Sequence, residues 1–170
     1  MKLDAIIQKI NTINWSTIKV TVNWSDSTFG NAEEIAANLR DLFSGDTELA
    51  MKAAHELWCS LSHQHSYITS AAVPAYDFLM MGLSQLDDSL KVEILDILVG
   101  FAVCTSDAFY DVSKRKPLDW EIELKNKLTG DIQTFKDLSL HGDESISYFA
   151  GRVVSYLDNE PTVDVPLRRS

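Results

Sequence analysis

Cys59, His63 and His65 stand close together in the stretch Trp58-Cys59-Ser60-Leu61-Ser62-His63-Gln64-His65-Ser66-Tyr67, and thiolate with imidazole is a zinc-binding combination. A structural zinc site takes about four ligands, and the remaining histidines, His55 and His141, are not grouped with a second cysteine. The pattern therefore predicts no metal, and His63 and Tyr67 are expected to hydrogen-bond backbone groups where two helices end. Ser62 beside His63, and Ser66 beside His65, place a hydroxyl next to a base only along the chain; no strained Gly-x-Ser-x-Gly elbow presents a nucleophile. Gly130, Gly142 and Gly151 are too widely spaced to cradle a phosphate. The pairs Glu33/Glu34, Asp87/Asp88 and Glu121/Glu123 sit at helix starts, where the helix dipole already favours them. No catalytic residue and no cofactor is expected.

Apolar spacing identifies the elements around this stretch. Leu3, Ile6, Ile7 and Ile10 recur at helical intervals, whereas Ile18, Val20, Val22 and Trp24 alternate with polar residues and predict an extended arm within residues 13–24. Ser25 to Asn31 breaks the chain. Asn31 with Glu34 reads as a capping box opening a helix through Ile35, Leu39, Leu42 and Phe43, which Gly45 closes. Asp46 caps the next helix, with Leu49, Ala50, Ala53, Leu57 and Leu61 on one stripe, so the two lie antiparallel. After the His-rich link, Thr69 or Ser70 is expected to cap a helix carrying Pro74 in its first turn. Asp87 or Asp88 starts another, through Ile94, Leu98 and Phe101 towards Tyr110. Asp119 opens a helix running to Phe135 and loosened at Gly130, and Asp143 a last one ending near Leu157.

The reading is all-α: one domain over residues 1–157, made of an N-terminal helix, an irregular arm and three hairpins, then a frayed tail over 158–170. With 45% hydrophobic and 24% charged residues in 170, the chain is long enough to bury a core unaided. Cys59 and Cys104 fall in apolar helical patterns and read as reduced core thiols, and no apolar run reaches the length of a leader core or a membrane span. A cytoplasmic protein without membrane contact is expected. The net charge of −10 opposes direct nucleic-acid binding, which draws on Lys and Arg, and suits a basic partner.

Hairpins of roughly 40 residues fit the period of HEAT or armadillo solenoids. Residues Leu57, Trp58, His63, Gln64, Tyr67, Ala72, Val73, Pro74, Phe78 and Leu79 resemble the signature of small bacterial HEAT-repeat proteins, whose hairpins carry an LW…HQG-x-x-Y-x-x-T-x-x-A-V-P-x-L pattern. Asn14-Trp15-Ser16, Phe29 to Glu33 and Leu42 to Asp46 extend the likeness, which covers about residues 13–102. His65 departs from it, standing where the pattern has glycine, and Ser70 and Ala71 blur the capping threonine. The resemblance implies an α-α superhelix of the HEAT/armadillo kind. Compact, acidic members are similar to the immunity proteins that bacteria pair with toxin domains, as in contact-dependent growth inhibition.

From Asp87 to Asp111 six acidic residues face only Lys91. If second helices line the concave face, as the resemblance implies, Glu93, Asp96, Asp107 and Asp111 join Glu48 and Glu56 in an acidic groove for a Lys/Arg-rich partner. The expected function is an immunity protein that masks a cognate toxin domain, a basic nuclease, by occupying its substrate groove. The alternatives are a generic HEAT scaffold and, more remotely, a helical-repeat DNA glycosylase or chromophore lyase; the glycosylase needs a cationic groove that this charge balance opposes.

Overall fold

The structure is a computed structural model that describes residues 2–160. It is mainly helical: α1 (Leu3–Thr12), α2 (Ala32–Leu42), α3 (Thr47–Leu61), α4 (Ala72–Gln85), α5 (Asp88–Cys104), α6 (Asp107–Ser113), α7 (Asp119–Gly130), α8 (Ile132–Leu138) and α9 (Glu144–Leu157), with two short strands, β1 (Thr21–Val22) and β2 (Ser25–Thr28). Side-chain caps set several starts. Asp46 accepts from Leu49 N at 3.0 Å, Asp87 from Leu90 N at 3.1 Å, and Asp143 from Ser145 N and Ile146 N at 2.9 and 3.0 Å; each satisfies a donor the first helical turn leaves open. Asn31 caps α2 through Glu33 N at 2.9 Å rather than through Glu34. Gly45, at φ +82°, turns the chain between α2 and α3.

Helices pair as the sequence implied, α2 with α3, α4 with α5 and α8 with α9, while α3, α5 and α9 lie side by side with α5 between them. α1 packs on α2 and α4, and α7 on α4 and α5. The middle position explains the composition of α5, whose residues from Ile94 to Ala102 are all buried. A helix covered on several sides keeps no polar face. Each fully buried Leu or Ile there contributes about 2 kcal/mol relative to exposure.

Four expectations need correction. The helix from Asp88 does not run to Tyr110: it stops at Cys104, where Thr105 Oγ1 bonds Phe101 O at 2.7 Å and Ser106 Oγ caps α6 by accepting from Phe109 N at 3.2 Å. The helix from Asp119 breaks fully at Asp131, giving α7 and α8. Ser25 to Thr28, read as part of a break, is a strand: Thr21 pairs with Thr28 and Val22 with Ser25 in an antiparallel hairpin. Finally, neither Thr69 nor Ser70 caps α4. Thr69 Oγ1 donates to Ser60 O at 3.0 Å, and Ser70 Oγ accepts from Thr21 N at 3.0 Å and donates to Lys19 O at 3.2 Å, so both hydroxyls tie the link to its neighbours. Pro74 is the third residue of α4, inside the first turn as expected. Of the expected tail, residues 161–170 lie outside the described residues.

Candidate functional site

The link between α3 and α4 folds back across α5. Its 3₁₀ turn, His63–His65, carries Gln64 at φ +51° and His65 at φ +53°, left-handed values that glycine adopts most easily. Close approach depends on Gly100: a methyl group there would collide with Ser62 Oγ. His65 Nε2 then lies 2.8 Å from both the carbonyl oxygen and Oδ1 of Asp96, and Cys104 Sγ donates to His65 O at 3.5 Å. Asp96 is 1% exposed. It is therefore no part of a solvent-facing groove, contrary to expectation, because the link covers it and His65 occupies its carboxylate. The histidine that makes this buried polar contact is His65, not His63.

His63 and Tyr67 instead join a run of rings. His55 stacks on Trp58 at 5.9 Å, Trp58 meets His63 at 5.1 Å, and His63 lies 5.8 Å from Tyr67. Tyr67 then meets Trp24 at 4.9 Å and Phe29 at 5.5 Å, both nearly perpendicular to it at 86° and 79°. Trp58 is buried, whereas Trp24 is 60% exposed; the alternation in the arm assigned Trp24 to the same face as Val20 and Val22, but it sits at the hairpin turn, where alternation ends. Gln64 is exposed beside this run. Desolvation by burial, followed by the charge of Cys59, raises the Tyr67 pKa. Cys59 itself is half-buried, its sulfur 3.8 Å from His55 Nε2, while Cys104 is buried; neither is joined in a disulfide.

The other expected contact residues divide between two places. Glu48 and Glu56 are exposed on α3, and Glu93 is half-buried on α5. Asp107 and Asp111 are exposed on α6, where with Tyr110, Ile122 and Lys125 they line a cleft of about 420 Å³ between α6 and α7. Asp107 accepts from Lys125 at 2.6 Å, and that ammonium lowers its pKa. The acidic residues thus do not form one strip along the second helices, since α6 is a separate short helix at the end of α5.

A buried ion pair adjoins this cleft. Glu121 is fully buried; both its oxygens engage the Arg115 guanidinium, and Oε2 also accepts from Leu118 N at 2.8 Å. Arg115 lies over the rings of Phe109 and Tyr110 at 5.7 and 5.2 Å. Its hydrogen bond to Glu121 raises its pKa further, and the phenol of Tyr110 is pushed up by burial and then by the Glu121 charge. The sequence held a sign of this: Glu121 follows Leu118 by three residues, the interval at which a glutamate reaches back to the backbone N–H that starts a helix.

Neither Ser62 nor Ser66 bonds a histidine side chain among the described residues. Ser62 Oγ is wedged beside Gly100, and Ser66 Oγ donates to Gln64 O at 3.4 Å. Among the described residues no group of three or more His, Cys, Asp and Glu side chains is arranged to hold a metal ion, and no helix is long and apolar enough to cross a membrane. No family model, no curated protein and no solved structure matches the chain.

Proposed function

We propose that this chain is a binding protein of the immunity type, acting in the cytoplasm, which masks a basic toxin domain, a nuclease in the simplest case, with its acidic surface. The observation that carries the reading lies on the arm and first hairpin. From Asp26 to Glu56 there are seven carboxylates against Arg40 and Lys52, and none of the seven joins an ion pair among the described residues. Carboxylates outside ion pairs keep their field for an incoming protein, speeding encounter and excluding acidic competitors. The α3–α5–α9 layer, backed by α2, α4 and α8, supports a HEAT-like superhelix, in which such a surface is broad and preformed.

The test is coexpression with the product of the adjacent gene, because immunity proteins are encoded beside what they neutralise. The expected result is a complex that dissociates more readily as salt rises, protection of the host cell, and weaker binding for the Glu48→Lys, Glu56→Lys double variant. Absence of both complex and protection rejects the proposal. A housekeeping protein captured in its place selects the second reading, a general interaction scaffold, which the exposed Trp24 also fits.

A further inference from the structure

The hairpin tip carries an aromatic corner that internal packing does not explain. Tyr67 is the shared neighbour of two rings, Trp24 and Phe29, each standing nearly perpendicular to it, yet Trp24 is 60% and Phe29 38% exposed. The corner is held in place by backbone. Asn23 N donates to Ile68 O at 3.1 Å, Ile68 N to Asn23 Oδ1 at 3.4 Å and Ser70 N to Thr21 O at 2.8 Å, while Phe29 N donates to Val20 O at 2.8 Å and closes the hairpin. Rings fixed in this way lose little entropy when a ligand arrives.

Elsewhere the protein covers ring faces with its own cations: Arg115 over Phe109 and Tyr110, Lys127 over Tyr76, and Arg152 over Tyr148 and Tyr156. Among the described residues no Lys or Arg stands over Trp24, Phe29 or Tyr67. Asp26, exposed on β2 and between Trp24 and Phe29 along the chain, joins no ion pair among the described residues. Electron-rich ring faces beside a free carboxylate attract a cation, most strongly a guanidinium that stacks flat on tryptophan.

We infer that the Trp24–Phe29–Tyr67 corner is the docking point for an arginine side chain of a basic partner protein. This rests on the acidic-binder reading and adds to it the one contact whose energy does not fade with salt. The carboxylates of the arm and first hairpin steer the partner, and the corner holds it.

The test uses the full chain with an acetylated, amidated Gly-Arg repeat peptide, and the same peptide with citrulline as the uncharged isostere. Binding is followed by calorimetry and by the Trp24 indole resonance. The arginine peptide is expected to shift that resonance saturably and the citrulline peptide to leave it in place. Trp24→Leu should weaken arginine-peptide binding about tenfold at both low and high salt, with the fold checked by circular dichroism, whereas Glu48→Gln should weaken it only at low salt. Equal affinity for citrulline, no binding of the arginine peptide, or loss of the Trp24 resonance shift into self-association overturns the inference. Unchanged affinity in Trp24→Leu together with a salt-dependent loss in Glu48→Gln removes the corner and leaves the acidic-binder reading standing.

Discussion

His65 and Asp96 are joined by a buried contact in which one imidazole nitrogen, Nε2, lies 2.8 Å from both the carbonyl and the side-chain oxygen of the same residue. The link reaches this position with two successive residues at positive φ, so a backbone cost of roughly 1–3 kcal/mol each is balanced by contacts made on α5.

The first prediction separates those terms. His65→Ala loses the imidazole and keeps the left-handed backbone, which should cost about 3 kcal/mol in urea unfolding. His65→Gly loses the same imidazole but relieves the backbone, so it should be milder by about 1 kcal/mol. Equal losses in the two variants would show that the backbone of His65 is not strained.

Gly100 should tolerate no side chain. Gly100→Ala places a methyl against Ser62 Oγ, and overpacking of this kind costs about 1–3 kcal/mol. Ser62→Gly in the same chain should recover much of the loss. A Gly100→Ala protein as stable as the parent would mean that the link does not lie on α5 in solution.

Arg115 and Glu121 should prove strongly coupled. Arg115→Met leaves a fully buried carboxylate without its charge partner, with an expected loss of about 3 kcal/mol. Adding Glu121→Gln should restore part of that, and a double-mutant cycle measures the difference. Additive effects would contradict the buried pair.

High pH should destabilise the fold. Burial, then the negative charge of Glu121, pushes the Cys104 thiol up to about 12 from an ordinary value of 9.0, and the phenols of Tyr67, Tyr76 and Tyr110 are raised above 10.0, chiefly by burial. A raised folded pKa gives stability that is complete below the unfolded pKa and lost as pH climbs towards the folded one. Melting temperature should therefore hold to about pH 9 and then fall, with up to about 1.4 kcal/mol lost per pH unit for each proton so retained. Near pH 8, iodoacetamide should label half-buried Cys59 and spare Cys104 until the protein unfolds. Equal labelling rates for the two thiols would argue against the placement of Cys104.

Much of this was legible in the chain alone, for a local reason. Asp46, Asp87 and Asp143 start helices because a short carboxylate beside an apolar stripe satisfies backbone donors within three residues of itself, and the stripes through Leu57, Leu98 and Val153 face inward because their spacing matches the helical turn. Where a helix stops is less local. Gly130 announces a loosening but not the outright break at Asp131 between α7 and α8, and Ser106 reads as a helix interior until its hydroxyl is seen to cap Phe109.

Asp96 marks the boundary between what the sequence decided and what it did not. The sequence determined an aspartate within the apolar run from Ile94 to Ala102, and an acidic side chain is by itself assigned to solvent. Whether water reaches that carboxylate depends on a segment about thirty residues earlier, whose route over Gly100 is set by positive φ at Gln64 and His65 and by the absence of a single methyl group. Propensity and periodicity sense neighbours within a turn or two, whereas burial of a charge is decided by chain crossings. The acidic surface and the open rings at Trp24 are, in the same way, properties of the packed molecule.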